Sequence, residues 1–170
     1  MVITEKTPYS DIIEVEELFA DTTIKELKQA AEKKYGDCYN LTIDEFFGLI
    51  EGNYSLLGDI TEPTALQVYW LKRFEEFCTE FANSCERMAL QPTDDQKQLQ
   101  TGCLKLSGKE GMLIFTREYF GLPSFMAAGK RTLGEYLVAR KDKYNEAVQK
   151  RNFDAWQRRK IEETKRKNRK

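Results

Sequence analysis

The fold is decided by residues 63–88, PTALQVYWLKRFEEFCTEFANSCERM. Placed at 100° per residue, the apolar side chains of this stretch occupy one half of a helix surface, and charged or polar side chains occupy the other half. The pattern predicts one long helix that begins with Pro63 in its first turn and buries one broad face. The predicted buried face consists of Leu66, Trp70, Leu71, Phe74, Phe77, Cys78, Phe81, Ala82, Cys85 and Met88.

The composition indicates one globular domain with a core of its own. The chain has 170 residues, of which 41% are hydrophobic and 32% are charged. These values are typical of a soluble folded protein rather than a disordered one. No apolar run approaches the roughly 18 residues that a membrane-spanning helix needs, and residues 1–6 lack the features of a signal peptide. We therefore expect a cytoplasmic protein that does not bind a membrane.

Helix-start signals recur along the whole chain and predict an all-α fold. The capping-box pattern, Ser or Thr followed three residues later by Glu or Gln, satisfies two backbone donors at a helix start. Glycines follow several of the predicted helices, and Gly36 and Gly52 are suited to end them in the left-handed conformation. We expect a single all-α domain of six or seven helices, the long central one among them. The boxes begin at Thr23, Thr42, Thr93, Ser107 and Thr132.

Three segments are less regular. Residues 1–10 are predicted to be an extended arm, and residues 11–20 fit either a short helix capped by Ser10 or a short strand through residues 12–15. Residues 53–61 are predicted to form a loop with an apolar plug of Tyr54, Leu56 and Leu57. Residues 110–128 are so rich in large apolar side chains that we expect deep burial, with part of the segment available for an interface.

The last helix is predicted to change character near residue 150. An apolar stripe from Leu133 to Val148 is followed by charged residues, among which Phe153, Trp156 and Ile161 are predicted to lie on different faces. We therefore divide the chain into a helical domain, residues 1–149, and a basic extension, residues 150–170, that either protrudes as a helix or frays.

Charge is strongly segregated along the chain. Residues 1–62 carry 5 basic and 14 acidic side chains, whereas residues 150–170 carry 10 basic and 3 acidic ones. Such separation bears on partners rather than on fold. The basic extension is therefore the predicted binding site for either an acidic protein surface, which includes a second copy of the chain, or nucleic-acid phosphates with Trp156 stacked on a base. The predicted site comprises Trp156, Arg158, Arg159, Lys160, Lys165, Arg166, Lys167, Arg169 and Lys170.

Catalytic and metal chemistry finds little support in the residues. The chain has no histidine, and its four cysteines contain no Cys-x-x-Cys pair, so we interpret the thiols as buried apolar groups. Residues 129–132, GKRT, fail the phosphate-loop pattern and are interpreted as a turn followed by a helix cap. Glu75, Glu76 and Glu80 fall on the solvated half of the central helix. We predict no enzyme activity, no cofactor and no metal.

Four segments together resemble small helical proteins of tailed bacteriophages, such as tail-assembly chaperones and minor virion components. They are residues 42–47 (TIDEFF), 63–88, 110–125 (EGMLIFTREYFGLPSF) and 132–148 (TLGEYLVARKDKYNEAV) with the basic end that follows. The resemblance implies a non-enzymatic protein that binds other proteins during assembly, in the cytoplasm or in the virion. It assigns no role to any single residue.

Overall fold

The computed structural model describes residues 24–60, 64–89 and 108–167. Within these ranges the chain forms six helices and two single 3₁₀ turns, at Cys38–Asn40 and Ser55–Leu57, and no β-strand, which confirms the all-α prediction. The predicted arm, the segment 11–20 and the helix after Thr93 lie outside the described residues. The helices are α1 (Ile24–Tyr35), α2 (Ile43–Ile50), α3 (Ala65–Arg87), α4 (Gly108–Phe120), α5 (Phe125–Gly129) and α6 (Leu133–Lys167).

Helix α3 is the centre of the core, as its periodicity predicts. Trp70 stacks on Phe74 with ring centroids 5.7 Å apart, and the indole Nε1–H of Trp70 donates a hydrogen bond to the Gly36 carbonyl at 3.0 Å. Phe77 is 1% exposed and contacts the ring of Phe46 from α2 edge-on. The aromatic face of α3 therefore holds α1 and α2 against the rest of the domain.

The start of α3 differs from the prediction. The helix begins at Ala65 rather than at Pro63, because Thr64 is the N-cap and its hydroxyl accepts from the backbone N–H of Gln67. The Gln67 side-chain oxygen accepts from the Thr64 backbone N–H at 2.7 Å and completes a capping box. This box was not among the predicted ones. The Gln67 amide group also donates to the carbonyls of Leu57 and Asp59 and so ties the preceding loop to the helix.

The N-termini of α2 and α6 are joined by their backbones. The Ile43 N–H donates to the Arg131 carbonyl at 2.9 Å, and the Leu133 N–H donates to the Leu41 carbonyl at 2.8 Å. The two N-cap residues, Thr42 and Thr132, face each other across this isolated antiparallel bridge. Both predicted capping boxes are present, since Glu45 and Glu135 accept from the backbone N–H groups of these threonines. Two helices that start 90 residues apart in the chain thus begin side by side, joined by two backbone hydrogen bonds.

Helix α4 is less buried than predicted. Only Met112 and Thr116 of this helix are buried, and the remaining large apolar side chains are half-buried. The reason is geometric: the apolar residues of α4 point around the whole helix, so one packed face cannot cover them all. Phe115 contacts Tyr136 of α6 edge-on, and the Arg140 guanidinium lies over the Phe115 ring at 5.3 Å from its centroid.

Helix α6 runs without interruption from the body into solvent. Leu133, Tyr136 and Ala139 are buried, and Ala147 and Val148 are the last half-buried residues. Every side chain from Gln149 to Lys167 is exposed. The apolar stripe of the helix therefore ends within one residue of the point that its sequence pattern indicates.

Candidate interaction helix

The candidate site is residues 149–167 of α6, hereafter the projecting segment. At 1.5 Å per residue its 19 residues extend about 28 Å along the helix axis. A helix satisfies its own backbone hydrogen bonds except at its ends, so such a segment can stand in water without a neighbouring element. What it offers a ligand is therefore its side chains alone.

The predicted site residues lie on the projecting segment as far as the structure describes them. Residues 150–167 carry eight basic and three acidic side chains, and Lys160 pairs with Glu163 at 3.5 Å. The 100° step spreads the basic groups around the axis, so Arg158 and Arg166 point away from the side that carries Lys160. The predicted site residues therefore lie on one helix, but they do not form one patch. Arg169 and Lys170 lie outside the described residues.

An aromatic pair is the most specific feature of the projecting segment. Phe153 and Trp156 stack with ring centroids 5.9 Å apart and ring planes 24° from parallel. Their exposed fractions are 55% and 54%. The predicted site includes Trp156 but not Phe153, and the prediction that these two rings lie on different faces of the helix is wrong. Since residues three apart on a helix are neighbours, the i, i+3 spacing was the signal that could have found the pair.

The pair lies on the side of α6 that faces away from the core. At 100° per residue, Phe153 and Trp156 are roughly opposite the side on which Leu133 and Tyr136 pack. The same outer side continues back along the body, where Val138 is 69% exposed. The projecting segment is therefore accessible to a partner helix on this side, and farther back along the body such a helix would meet Tyr119, whose hydroxyl donates to Asp142 at 2.9 Å.

A second exposed apolar spot lies on the short helix α5. Phe125 is 46% exposed and Met126 is 73% exposed. The Arg117 guanidinium covers one face of the Phe125 ring at 4.4 Å. Similarly, Arg131 lies over the Phe120 ring at 4.8 Å. Cations thus cover much of the aromatic surface in the segment 110–128, where an interface was one expectation.

A small cavity of about 130 Å³ lies between α1 and α3. Its walls include the aromatic rings of Tyr39, Trp70 and Phe77 and the thiol of Cys38. Burial raises the pKa of Cys38 to about 12, and the negative charge of neighbouring Asp37 acts in the same direction. The thiol is therefore protonated at neutral pH, and a protonated thiol is a poor nucleophile.

The other cysteines have the same character. Burial raises the pKa of Cys78 to about 12, and burial also raises the pKa of the half-buried Cys85. Cys38 and Cys78 are buried, as the sequence reading expects, whereas Cys103 lies outside the described residues. In the described part of the chain, no three Cys, Asp or Glu side chains lie close enough together to hold a metal ion.

The two remaining motifs have structural positions. Thr132 caps α6, and Gly129 ends α5, so residues 129–132 form the predicted turn and cap. Glu75 is half-buried, whereas Glu76 and Glu80 lie on the exposed side of α3, where both carboxylates contact the Arg73 guanidinium, at 2.8 and 3.4 Å. Glu76 and Glu80 therefore form a surface ion-pair network.

Comparison with known proteins does not identify a family. No protein-family model, curated protein or solved structure matches the chain. Among the described helices, none is both long and apolar enough to cross a membrane.

Proposed function

We propose that the chain is a non-enzymatic protein-interaction or assembly factor and that it binds a partner protein through the projecting segment. The observation that carries this proposal is the stacked pair of Phe153 and Trp156 on the projecting segment, in which every side chain is exposed. Large aromatic residues are the usual energetic centres of protein interfaces. Keeping two of them in water has an unfavourable solvation energy that a partner surface would remove.

The rigidity of the helix favours binding. The segment continues a helix that is anchored in the core by Leu133 and Tyr136, so its backbone is ordered before a partner arrives. A partner therefore binds it without the entropy loss that ordering a flexible tail would require. The basic side chains around the aromatic pair would speed association with an acidic surface.

Two further observations agree with this class of function. The chain has no histidine, and its buried thiols stay protonated at neutral pH, so the common nucleophiles and general bases are scarce. The resemblance to small helical bacteriophage proteins points to a role in tail or virion assembly, in the cytoplasm or on the particle. That role is part of the proposal.

Nucleic-acid association is the second candidate function. It is favoured by the eight basic side chains of residues 150–167 and by the accessible ring of Trp156. Binding of phosphates by these groups would weaken steeply as salt increases, because counterions are released. Pairing with a protein through aromatic rings would depend much less on salt.

Site-specific photocrosslinking tests the proposal. A photoreactive phenylalanine analogue at position 156 is expected to crosslink to a protein of defined mass in cells that express the chain. The matched control has the same analogue at position 161, where Ile161 is equally exposed on another side of the helix. Equal crosslinking from both positions, or crosslinks to nucleic acid alone, would contradict the proposal.

A further inference from the structure

We infer that the partner of the projecting segment is a second copy of this chain, bound by antiparallel pairing of the two α6 helices. The inference rests on the proposed function and names the partner. The surface used is the outer side of α6, which continues from the projecting segment over the body, where Asp142 accepts a hydrogen bond from the Tyr119 hydroxyl of α4 at 2.9 Å. Because this side is exposed along its whole length, two copies can align there over about 26 residues.

The pairing uses one series of positions on the outer side, hereafter the seam. As on any helix, residues on one side recur in steps of four and three, and two helices that pair along such a series keep one face in contact. Phe153 and Trp156 occupy two successive seam positions at the middle of the series. The polar seam residues on either side are exposed and are accessible to a second helix. The seam is Asp142, Glu146, Gln149, Phe153, Trp156, Lys160, Glu163 and Lys167.

One antiparallel register places the aromatic pairs together. If Phe153 of one copy faces Trp156 of the other, the two-fold axis runs between these rings and four aromatic side chains form one cluster. The same register sets Asp142, which accepts from the Tyr119 hydroxyl within its own chain, opposite Lys167 of the other copy, and their opposite charges attract. The self-complementary order of the seam therefore fits a symmetric dimer, in which each residue is used twice.

In this register two glutamates face each other, but the negative charge of each is balanced by a lysine of its own helix. Glu146 would lie opposite Glu163 of the other copy. Within one helix, however, Lys143 donates to Glu146 at 2.6 Å and Lys160 pairs with Glu163 at 3.5 Å. Each carboxylate thus brings its own ammonium group, so that each ion pair carries no net charge. Their mutual repulsion is small for that reason.

The register leaves one unused electrostatic contact, which provides the test. Gln149 lies opposite Lys160 of the other copy, so the substitution Gln149→Glu adds a carboxylate facing an ammonium group twice per dimer. Two such pairs are expected to tighten the dimer about fivefold. The same substitution removes positive character from the projecting segment, and it would weaken binding to an acidic protein or to nucleic acid. The sign of the change therefore distinguishes the partners.

The experiment is sedimentation equilibrium of the full chain and of three variants at matched concentrations. The full chain is expected to be in monomer–dimer equilibrium. The dimer of the Trp156→Ala variant is expected to be at least tenfold weaker, and the dimer of the Gln149→Glu variant is expected to be tighter. The matched control, Lys165→Glu, makes a larger charge change away from the seam, and its dimer affinity is expected to change at most weakly. Circular dichroism of each variant establishes that α6 is intact.

Disulfide trapping tests the antiparallel direction. The double variant Gln149→Cys/Lys160→Cys is expected to form a covalent dimer on mild oxidation, because the two sites meet across the two-fold axis. Gln149→Cys alone would form one only in a parallel pair. The unsubstituted chain controls for its native cysteines.

Several outcomes would overturn the self-pairing. A strictly monomeric full chain is one, and a dimer that persists after truncation at Gln149 or tightens in Trp156→Ala is another. A dimer weakened by Gln149→Glu, or trapped by Gln149→Cys alone, contradicts the register. The proposed function is tested separately, since crosslinking from position 156 to a protein of different identity would uphold it while ending the self-pairing.

Discussion

Substitution of Gly129 by alanine is expected to destabilise the domain through one contact. Gly129 is the last residue of α5 and is buried, and the carboxylate of Asp44, near the start of α2, lies directly against it. A Cβ atom built at Gly129 would lie 2.5 Å from Asp44 Cγ and 2.7 Å from Oδ1. Real Cβ atoms do not approach other heavy atoms so closely, so α2 and α5 cannot keep their present separation unless Asp44 rotates away.

The size of the expected loss in the free energy of unfolding follows from the contacts that Asp44 would lose. Its side chain is about half exposed, so the carboxylate can turn into water, but it would lose its contact with Lys109 at 3.9 Å and its place near the helix N-terminus. Relief of such overpacking typically costs about 1–3 kcal/mol. The low end is expected here, because the obstructing group lies at the end of a partly exposed side chain.

A double-mutant cycle measures the contact. Urea unfolding of the full chain, Gly129→Ala, Asp44→Ala and the double variant gives the four free energies of unfolding. The loss caused by Gly129→Ala is expected to vanish, or to become a small gain, when Asp44 is already alanine. Alanine is otherwise favoured over glycine because it restricts the unfolded chain. An equal loss in both backgrounds would refute the reasoning, since the cost would then arise from the backbone at residue 129.

Three other outcomes are expected. Between pH 9 and 12 the free energy of unfolding should fall by about 1.4 kcal/mol per pH unit for each of Cys38 and Cys78, because these thiols ionise near pH 9 only when unfolded. Below pH 9 the two thiols are protonated in both the folded and the unfolded state, so their contribution to stability is fully present. Urea titrations in reductant should show a shallower slope of the free energy of unfolding against pH for the variant with alanine at both Cys38 and Cys78. Equal slopes would contradict the assignment. Thr132→Ala should cost about 1 kcal/mol in thermal unfolding while Thr132→Ser keeps the cap, so equal losses would exclude the cap as the cause. Amide exchange should quicken from Gln149 towards Lys167 while α3 stays protected, and uniform protection along α6 would contradict the exposed position of the segment.

Local sequence signals predicted the helices well because their physical causes are local. A capping box needs only residues three apart, and those at Thr42 and Thr132 are present as expected. Likewise, the buried face of α3 follows from its own periodicity, since helical geometry alone places Trp70 and Phe77 on one side. The box at Thr64 was missed because Pro63, an equally good start signal, stands immediately before it.

The features that depend on contacts distant in sequence were not predicted. Nothing near Leu41 indicates that its carbonyl accepts from the Leu133 backbone N–H, because that pairing joins segments 92 residues apart. The contact between Gly129 and Asp44 is of the same kind. The half-buried state of α4 was also missed, since a helix that is apolar on all sides gives no sign of which side will pack.

The projecting segment and the body depend on each other through helix nucleation. Forming the first turn of a helix is unfavourable, and an isolated helix as short as 19 residues with few apolar contacts is marginal in water. In α6 that first turn is formed inside the body, where Leu133 is fully buried and the Thr132 cap is held by the bridge to α2. The segment therefore needs only to propagate, and the aromatic pair is presented on an ordered helix about 34 Å beyond the cap. Weakening the bridge should thus weaken partner binding at a distance, because it removes the nucleus on which the binding helix grows.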